Sequence, residues 1–197
     1  KLQRFIHPLR SIVAPPKVTL EKWDKLNSKR KVVAIGGIDA HAHKQNIMGA
    51  YEVEIFPYKV LFKSIRTNVL LDSEIKKNNQ QTFHHDKEKI LTALRNGKSF
   101  IVNNYHGSGR GFRFFADYDG KTYMMGDDVN YDKPGKKIIL RTLVPEKSLV
   151  RLIKDGVCID EVESMECIWD SDEKGCYRIE CWKNGKGWIF SNHIRVL

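Results

Sequence analysis

The sequence lacks any apolar run long enough to cross a bilayer: its uninterrupted apolar stretches, such as Val32–Ile35, fall far short of the ~20 residues a spanning helix needs. It lacks a Cys-x-x-Cys pair, the usual signature of structural zinc. Only four cysteines occur, all between Cys158 and Cys181. In apparent strands they read as small core hydrophobes, with a zinc cluster or disulfides as the alternatives, so a reducing, cytoplasmic setting is expected. Pro8, Pro15 and Pro16 interrupt the apolar core that a signal peptide would require. Acidic residues are scarce in the first half. Residues 1–98 hold 19 Lys and Arg against 9 Asp and Glu, whereas residues 99–197 hold 15 of each, so the net charge of +10 sits entirely in the first half. Such asymmetry suggests a nucleic-acid or membrane partner, or an acidic counterpart that lies elsewhere.

What is present is enough for a folded core. With 41% apolar and 10% aromatic residues over 197 positions, general disorder is excluded and one large domain or two small ones are expected. The hydrophobic period divides the chain into an α/β part, residues 1–98, followed by an all-β part, residues 99–197. In the first part, Thr19 is expected to cap a helix carrying Leu20, Trp23 and Leu26. Val32–Ile35, stopped by Gly36-Gly37, reads as a buried parallel strand. Pro57 suits the first turn of a helix in which Leu61, Ile65 and Val69 recur every four residues. A further helix is expected from Asp86, as N-cap, to Gly97, as C-terminal stop.

Short strands separated by turns follow from Ser99 onward. Asp119-Gly120, Asp155-Gly156 and Asn184-Gly185 lie between apolar runs, and each pair supports the positive φ angles of a two-residue hairpin turn. The strand spacing suggests an antiparallel β-sandwich-like domain. There Trp169, Trp182, Trp188 and Phe190 are expected as core residues.

The most chemical segment is Ile35-Gly36-Gly37-Ile38-Asp39-Ala40-His41-Ala42-His43. In extended chain, residues i, i+2 and i+4 point the same way, so Asp39, His41 and His43 are candidates to converge on one point. Carboxylate plus imidazole is a ligand set for Zn, Mn or Fe; the alternative is a polar loop that caps the next element. His84-His85-Asp86 is a weaker metal candidate, because adjacent side chains diverge. His106-Gly107-Ser108-Gly109-Arg110-Gly111 looks like a phosphate cradle, yet it lacks a Walker Lys-Ser/Thr and no helix follows, so a flexible inter-strand loop is expected.

Ala34-Ile35-Gly36-Gly37 running into Asp39-Ala40-His41-Ala42 resembles the C-terminal metal-binding motif of the PHP family, named for polymerase and histidinol phosphatase. Trp23-Asp24 before it and Phe56-Pro57 and Ile65-Arg66-Thr67-Asn68-Val69-Leu70-Leu71 after it agree. Gly111-Phe112-Arg113-Phe114, Met125-Gly126, Arg151-Leu152-Ile153-Lys154-Asp155-Gly156 and Trp188-Ile189-Phe190-Ser191-Asn192 resemble the β-domain that follows the barrel in bacterial members. The resemblance implies the C-terminal portion of a distorted (β/α)7 barrel over residues 1–98, and the β-domain over 99–197. It implies a hydrolase, a metal-dependent phosphoesterase using metal-bound hydroxide and divalent ions (Zn, Mn or Fe). Asp39 and His41 fall on the family's final metal ligands. His43, outside that pattern, stays a further candidate, and Lys63 and Arg66 are candidate contacts to substrate phosphate.

The family's early His-x-His motif and its intervening His, Glu and Asp ligands are absent. The expectation is therefore a C-terminal fragment that is not catalytically competent alone, whose partners are a phosphoester substrate and the missing N-terminal part of the same protein. No membrane partner is expected. The competing expectation is a basic nucleic-acid- or protein-binding module without catalysis, with Lys29-Arg30-Lys31 and Lys76-Lys77 as phosphate contacts.

Overall fold

In a computed structural model, the structure describes residues 12–47, 51–55, 57–75 and 80–197. Their order is α1 (Lys17–Asn27), β1 (His43–Ile47), β2 (Tyr51–Ile55), α2 (Tyr58–Leu61), β3 (Ile65–Val69), α3 (Gln80–Arg95), β4 (Ser99–Asn103), β5 (Arg113–Tyr118), β6 (Lys121–Met124), β7 (Asp128–Val129), β8 (Ile138–Lys154), β9 (Val157–Ser171), β10 (Gly175–Lys183), β11 (Lys186–Ser191) and β12 (Ile194–Val196). The chain is mostly β. Lys76 and Lys77, expected as phosphate contacts, lie outside the described residues. Among the described residues no helix is long and apolar enough to cross a membrane.

β1 and β2 pair as an antiparallel ribbon, and the other ten strands form one continuous sheet. This curled sheet stands where two facing sheets were expected. Its backbone order is β3-β4-β11-β10-β8-β5-β6, with β12 joining β10 to β7 and β9 lying along β8. All pairs are antiparallel except β7 with β12. The three two-residue turns form as their sequences dictate. Asp119, Asp155 and Asn184 take φ of 49°, 50° and 49°, and the glycine after each is also positive, the pattern that matches strand twist.

β8 runs 17 residues because it borrows neighbours in relay: β5 pairs with Ile139–Leu143 and β10 with Leu149–Lys154, while β9 follows the other side throughout. Between these halves the register slips, leaving Val144-Pro145-Glu146-Lys147 opposite Met165. Pro145, which has no N–H to give a ladder, sits in that bulge. Inside the curl lie Phe112, Phe114, Ile138, Leu140, Leu152, Tyr177, Ile179, Trp188, Ile189 and Ile194, all essentially inaccessible. Each such side chain contributes roughly 1.5–3 kcal/mol on burial.

Several elements in the first part differ from their expected form. Helix α1 starts at Lys17 after Pro16, so Thr19 lies inside it and caps nothing. Val32–Ile35 joins no ladder, and Ile35 is exposed. Leu61 ends the one-turn helix α2, and Ile65 and Val69 belong to strand β3, antiparallel to β4. That pairing carries the sheet across residue 98, so segments of both parts share it. Helix α3 spans Gln80–Arg95, which places Asp86 in its interior rather than at the N-cap. Its stop is as expected: Gly97, at φ 73°, closes the helix, with Gly97 N–H donating to Leu94 O and Lys98 N–H to Ala93 O.

A buried ion cluster fastens α1 to the sheet. Asp24 on α1 accepts two bonds from Arg178 on β10, Nε to Oδ1 at 2.7 Å and Nη2 to Oδ2 at 2.8 Å. Arg178 also donates to Glu180 at 2.6 Å, and His193 Nε2 contacts Asp24 Oδ1 at 2.7 Å. Trp23 packs edge-on against the His193 ring, and the Arg178 guanidinium lies over its face. Burial alone would raise the Asp24 carboxyl, but the bonds from Arg178 and His193 outweigh it and hold the group below its ordinary range. For His193 burial wins and lowers the imidazole, so the ring is neutral beside a charged Asp24–Arg178 pair.

All four thiols are free. Cys167, Cys176 and Cys181 are buried, in keeping with the core reading; burial pushes Cys176 up to about 11. Cys158 departs from that reading, since it sits on the exposed first turn of β9.

Candidate functional site

After α1 the chain runs from residue 31 to 42 outside any strand, with Gly36 lying against one face of the β3–β4 ribbon. Side chains, rather than a strand ladder, hold it there. Val32 donates to Asn27 Oδ1 and its carbonyl accepts from Trp23 Nε1 at 2.7 Å. Ala34 donates to Asn192 Oδ1 at 2.8 Å, while Asn192 Nδ2 returns a bond to Ala34 O and a second to Ser99 O. Gly36 donates to Thr67 Oγ1 at 2.8 Å. A Cβ on Gly36 would lie 2.7 Å from Ile101 Cγ2 and 3.0 Å from Ile65 Cγ2, so only glycine lets this backbone lie flat on the sheet. Gly37 has open space around it.

Asn192, 3% exposed, is the keystone of this attachment. Replacing it by alanine leaves the Ala34 N–H and the Ser99 carbonyl without these partners. The expected cost is about 2–3 kcal/mol, read from the urea midpoint of Asn192→Ala. A loss under about 0.5 kcal/mol, the range of an ordinary surface change, would show that the segment is held by something else.

Beyond the glycines, Asp39 takes a left-handed φ of 46°, which a short carboxylate side chain tolerates better than most. The chain turns there, and His41 Nε2 comes to 3.1 Å from Asp39 Oδ1. Both side chains are exposed, Asp39 at 95% and His41 at 62%. An apolar groove of about 380 Å³ runs along the preceding segment, lined by Trp23, Ile35, Gly36, Gly37, Ile65 and Ile101; neither Asp39 nor His41 lines it. The structure thus brings Asp39 and His41 together. His43 opens β1, and its side chain lies outside the described part of the structure.

The donor set can be tested against a divalent ion. Two ligand atoms each about 2.0–2.1 Å from one ion sit about 3 Å from each other, which is the spacing seen between Asp39 and His41. Carboxylate oxygen and imidazole nitrogen are also the right chemistry for Zn, Mn or Fe. Among the described residues no group of three or more His, Cys, Asp or Glu is assembled. The pair fits as part of a ligand set.

The expected phosphate contacts are placed differently. Ile65 and Thr67 face the Gly36 segment, so Arg66 between them lies on the opposite face of β3. Its Nε donates to Phe62 O at 3.3 Å. Lys63 is exposed in the turn between α2 and β3. His84 and His85 are exposed on α3. The 106–111 loop is fastened rather than flexible: Lys183 donates to His106 O and Trp188 Nε1 to Gly107 O at 3.0 Å. Its carbonyls thus face protein donors.

Sequence reasoning missed Asn27, Thr67 and Asn192, the residues that position the site. A polar residue that holds a chain 158 positions away leaves no periodic signal; only the Ser191-Asn192 end of an otherwise apolar strand hints at it. Compared with protein-family models, curated proteins and solved structures, the chain matches none.

Proposed function

We propose that this chain is the C-terminal portion of a metal-dependent phosphoesterase of the PHP type, with Asp39 and His41 as two of its metal ligands. The observation that carries the reading is the exposed carboxylate–imidazole pair, 3.1 Å apart, presented at the end of a segment that polar side chains pin to the sheet. The remaining donors, and the rest of the barrel, come from polypeptide outside these 197 residues. Divalent ions there would supply Lewis acidity toward a phosphoryl oxygen.

The roles of the chain's own groups follow from their chemistry. Asp39 lends negative charge and a carboxylate oxygen, and His41 lends a neutral ring nitrogen. The left-handed turn at Asp39 leaves its carboxylate 3.1 Å from the His41 ring nitrogen. The apolar groove along Ile35–Gly37 offers a surface to the organic part of a phosphoester.

The test uses the complete enzyme. Asp39→Ala and His41→Ala are each expected to lower hydrolysis of phosphate esters by about 100-fold or more, at or beyond the upper end of losses seen when only a supporting residue of a metal site is removed. Metal content by elemental analysis should fall with it while circular dichroism stays unchanged. Wild-type activity and metal content in both variants would sink the assignment. Combined with salt-dependent retention on DNA, that result would favour the basic binding module instead.

A further inference from the structure

The outer border of the sheet carries an unclaimed strand. β9 pairs with β8 on one side, and among the described residues no strand occupies its other side. From Val157 to Glu163 every residue is exposed, on both faces of the ribbon. Such an edge presents unpaired backbone donors and acceptors, and proteins usually shorten, twist or cover it. The register along β9 slips twice, at Ile159, which faces no residue of β8, and at Met165, beside which Ser164 Oγ donates to Glu166 O. The evenly paired stretch between the two bulges, residues 160–164, is left open.

The two faces of this stretch have different chemistry. Val162 pairs with Val150, whose side chain is in the core, so Val162 continues the core face, yet it is 41% exposed. Glu161 and Glu163 sit opposite Arg151 and Leu149 on the outer face, and Glu166 continues that row past the bulge at Met165. Across its 15 residues β9 has five carboxylates and no lysine or arginine. Glu161 is paired with Arg151 and Asp170 with Lys137. Glu163 and Glu166 have no ion pair among the described residues.

We infer that β9 is a docking edge for an extended basic segment of another protein, which adds as a strand along residues 160–164 with Lys or Arg on the outer face and apolar residues against Val162 on the core face. Main-chain bonds would supply affinity and the alternating side chains the selectivity. The carboxylates decide between occupants. In a second copy of this chain they would gather like charge along the seam, which disfavours pairing, whereas a basic strand neutralises them. The partner's apolar residues would cover Val162 and extend the core sideways.

The probe is an end-blocked heptapeptide of alternating Lys and Val, compared with a block isomer of identical composition, titrated against the 197-residue chain by fluorescence polarisation. The alternating peptide should bind at least about 10-fold tighter, and the double variant Glu161→Lys/Glu163→Lys should lose at least about 10-fold, a span of roughly 1.4 kcal/mol. Amide exchange of residues 160–164 should slow on addition of the alternating peptide. Equal binding of the two isomers, or exchange protection elsewhere in the sheet, would overturn the proposal. So would a concentration-dependent dimer in sedimentation that Val162→Lys abolishes, since it would make a second copy the occupant.

Discussion

Asp24→Ala is expected to destabilise the chain by about 3–5 kcal/mol, because it leaves a buried guanidinium without its principal partner. Arg178 and Asp24 are each 2% exposed, and Asp24 takes two of the charge-assisted bonds that Arg178 donates. Glu180 remains on the Nη1 side, but one carboxylate in a different direction cannot replace a bidentate pair. His193 loses its bond as well, and its other ring nitrogen already has no partner. The check is the urea midpoint of the variant beside the double variant Asp24→Ala/Arg178→Met. The double variant should regain part of the loss, because it removes the stranded charge. If Asp24→Ala alone costs under about 1 kcal/mol, the range of an exposed ion pair, the cluster is not the buried lock described.

Gly126→Ala is the second large effect, at about 4 kcal/mol or more. Gly126 takes φ 91°, and a Cβ there would lie 2.1 Å from Asn96 O and 2.6 Å from Gly97 C, both backbone atoms. Neither atom can rotate aside as a side chain would. The residue sits where the end of α3 meets the turn after β6, and its N–H donates to His193 O at 2.7 Å. A methyl group must therefore push helix and sheet apart. Thermal unfolding of the variant should shift downward steeply; a wild-type melting temperature would mean that the two backbones are not in contact.

These two joints also show what the amino-acid order discloses by itself. The hairpins at Asp119, Asp155 and Asn184 were legible because the turn chemistry is local to two residues. So was the stop at Gly97; Asp39 and His41 do approach each other across one intervening residue, but through a left-handed turn at Asp39 rather than the extended chain expected. Leu61, Ile65 and Val69 misled because spacing by four puts residues on one face of a helix and equally on one face of a strand; the alternation of Ile65, Thr67 and Val69 at β3 is the signal that separates them. Val32–Ile35 has the composition of a buried strand, but its backbone groups are taken by side chains from Trp23, Asn27 and Asn192. The Asp24–Arg178 pair joins residues 154 apart in the chain. No window of sequence holds both partners, so the lock appears only when the sheet is built.

The side-chain fastening of residues 32–36 has a consequence for motion. A strand leaves a sheet only by breaking a cooperative ladder, but this segment detaches when a handful of separate bonds from Trp23, Asn27, Thr67 and Asn192 let go. The sheet beneath keeps its own pairing throughout. The Asp39–His41 pair therefore belongs to a local opening unit with a lower free energy than global unfolding, and its alignment is set by four side chains rather than by the stability of the fold.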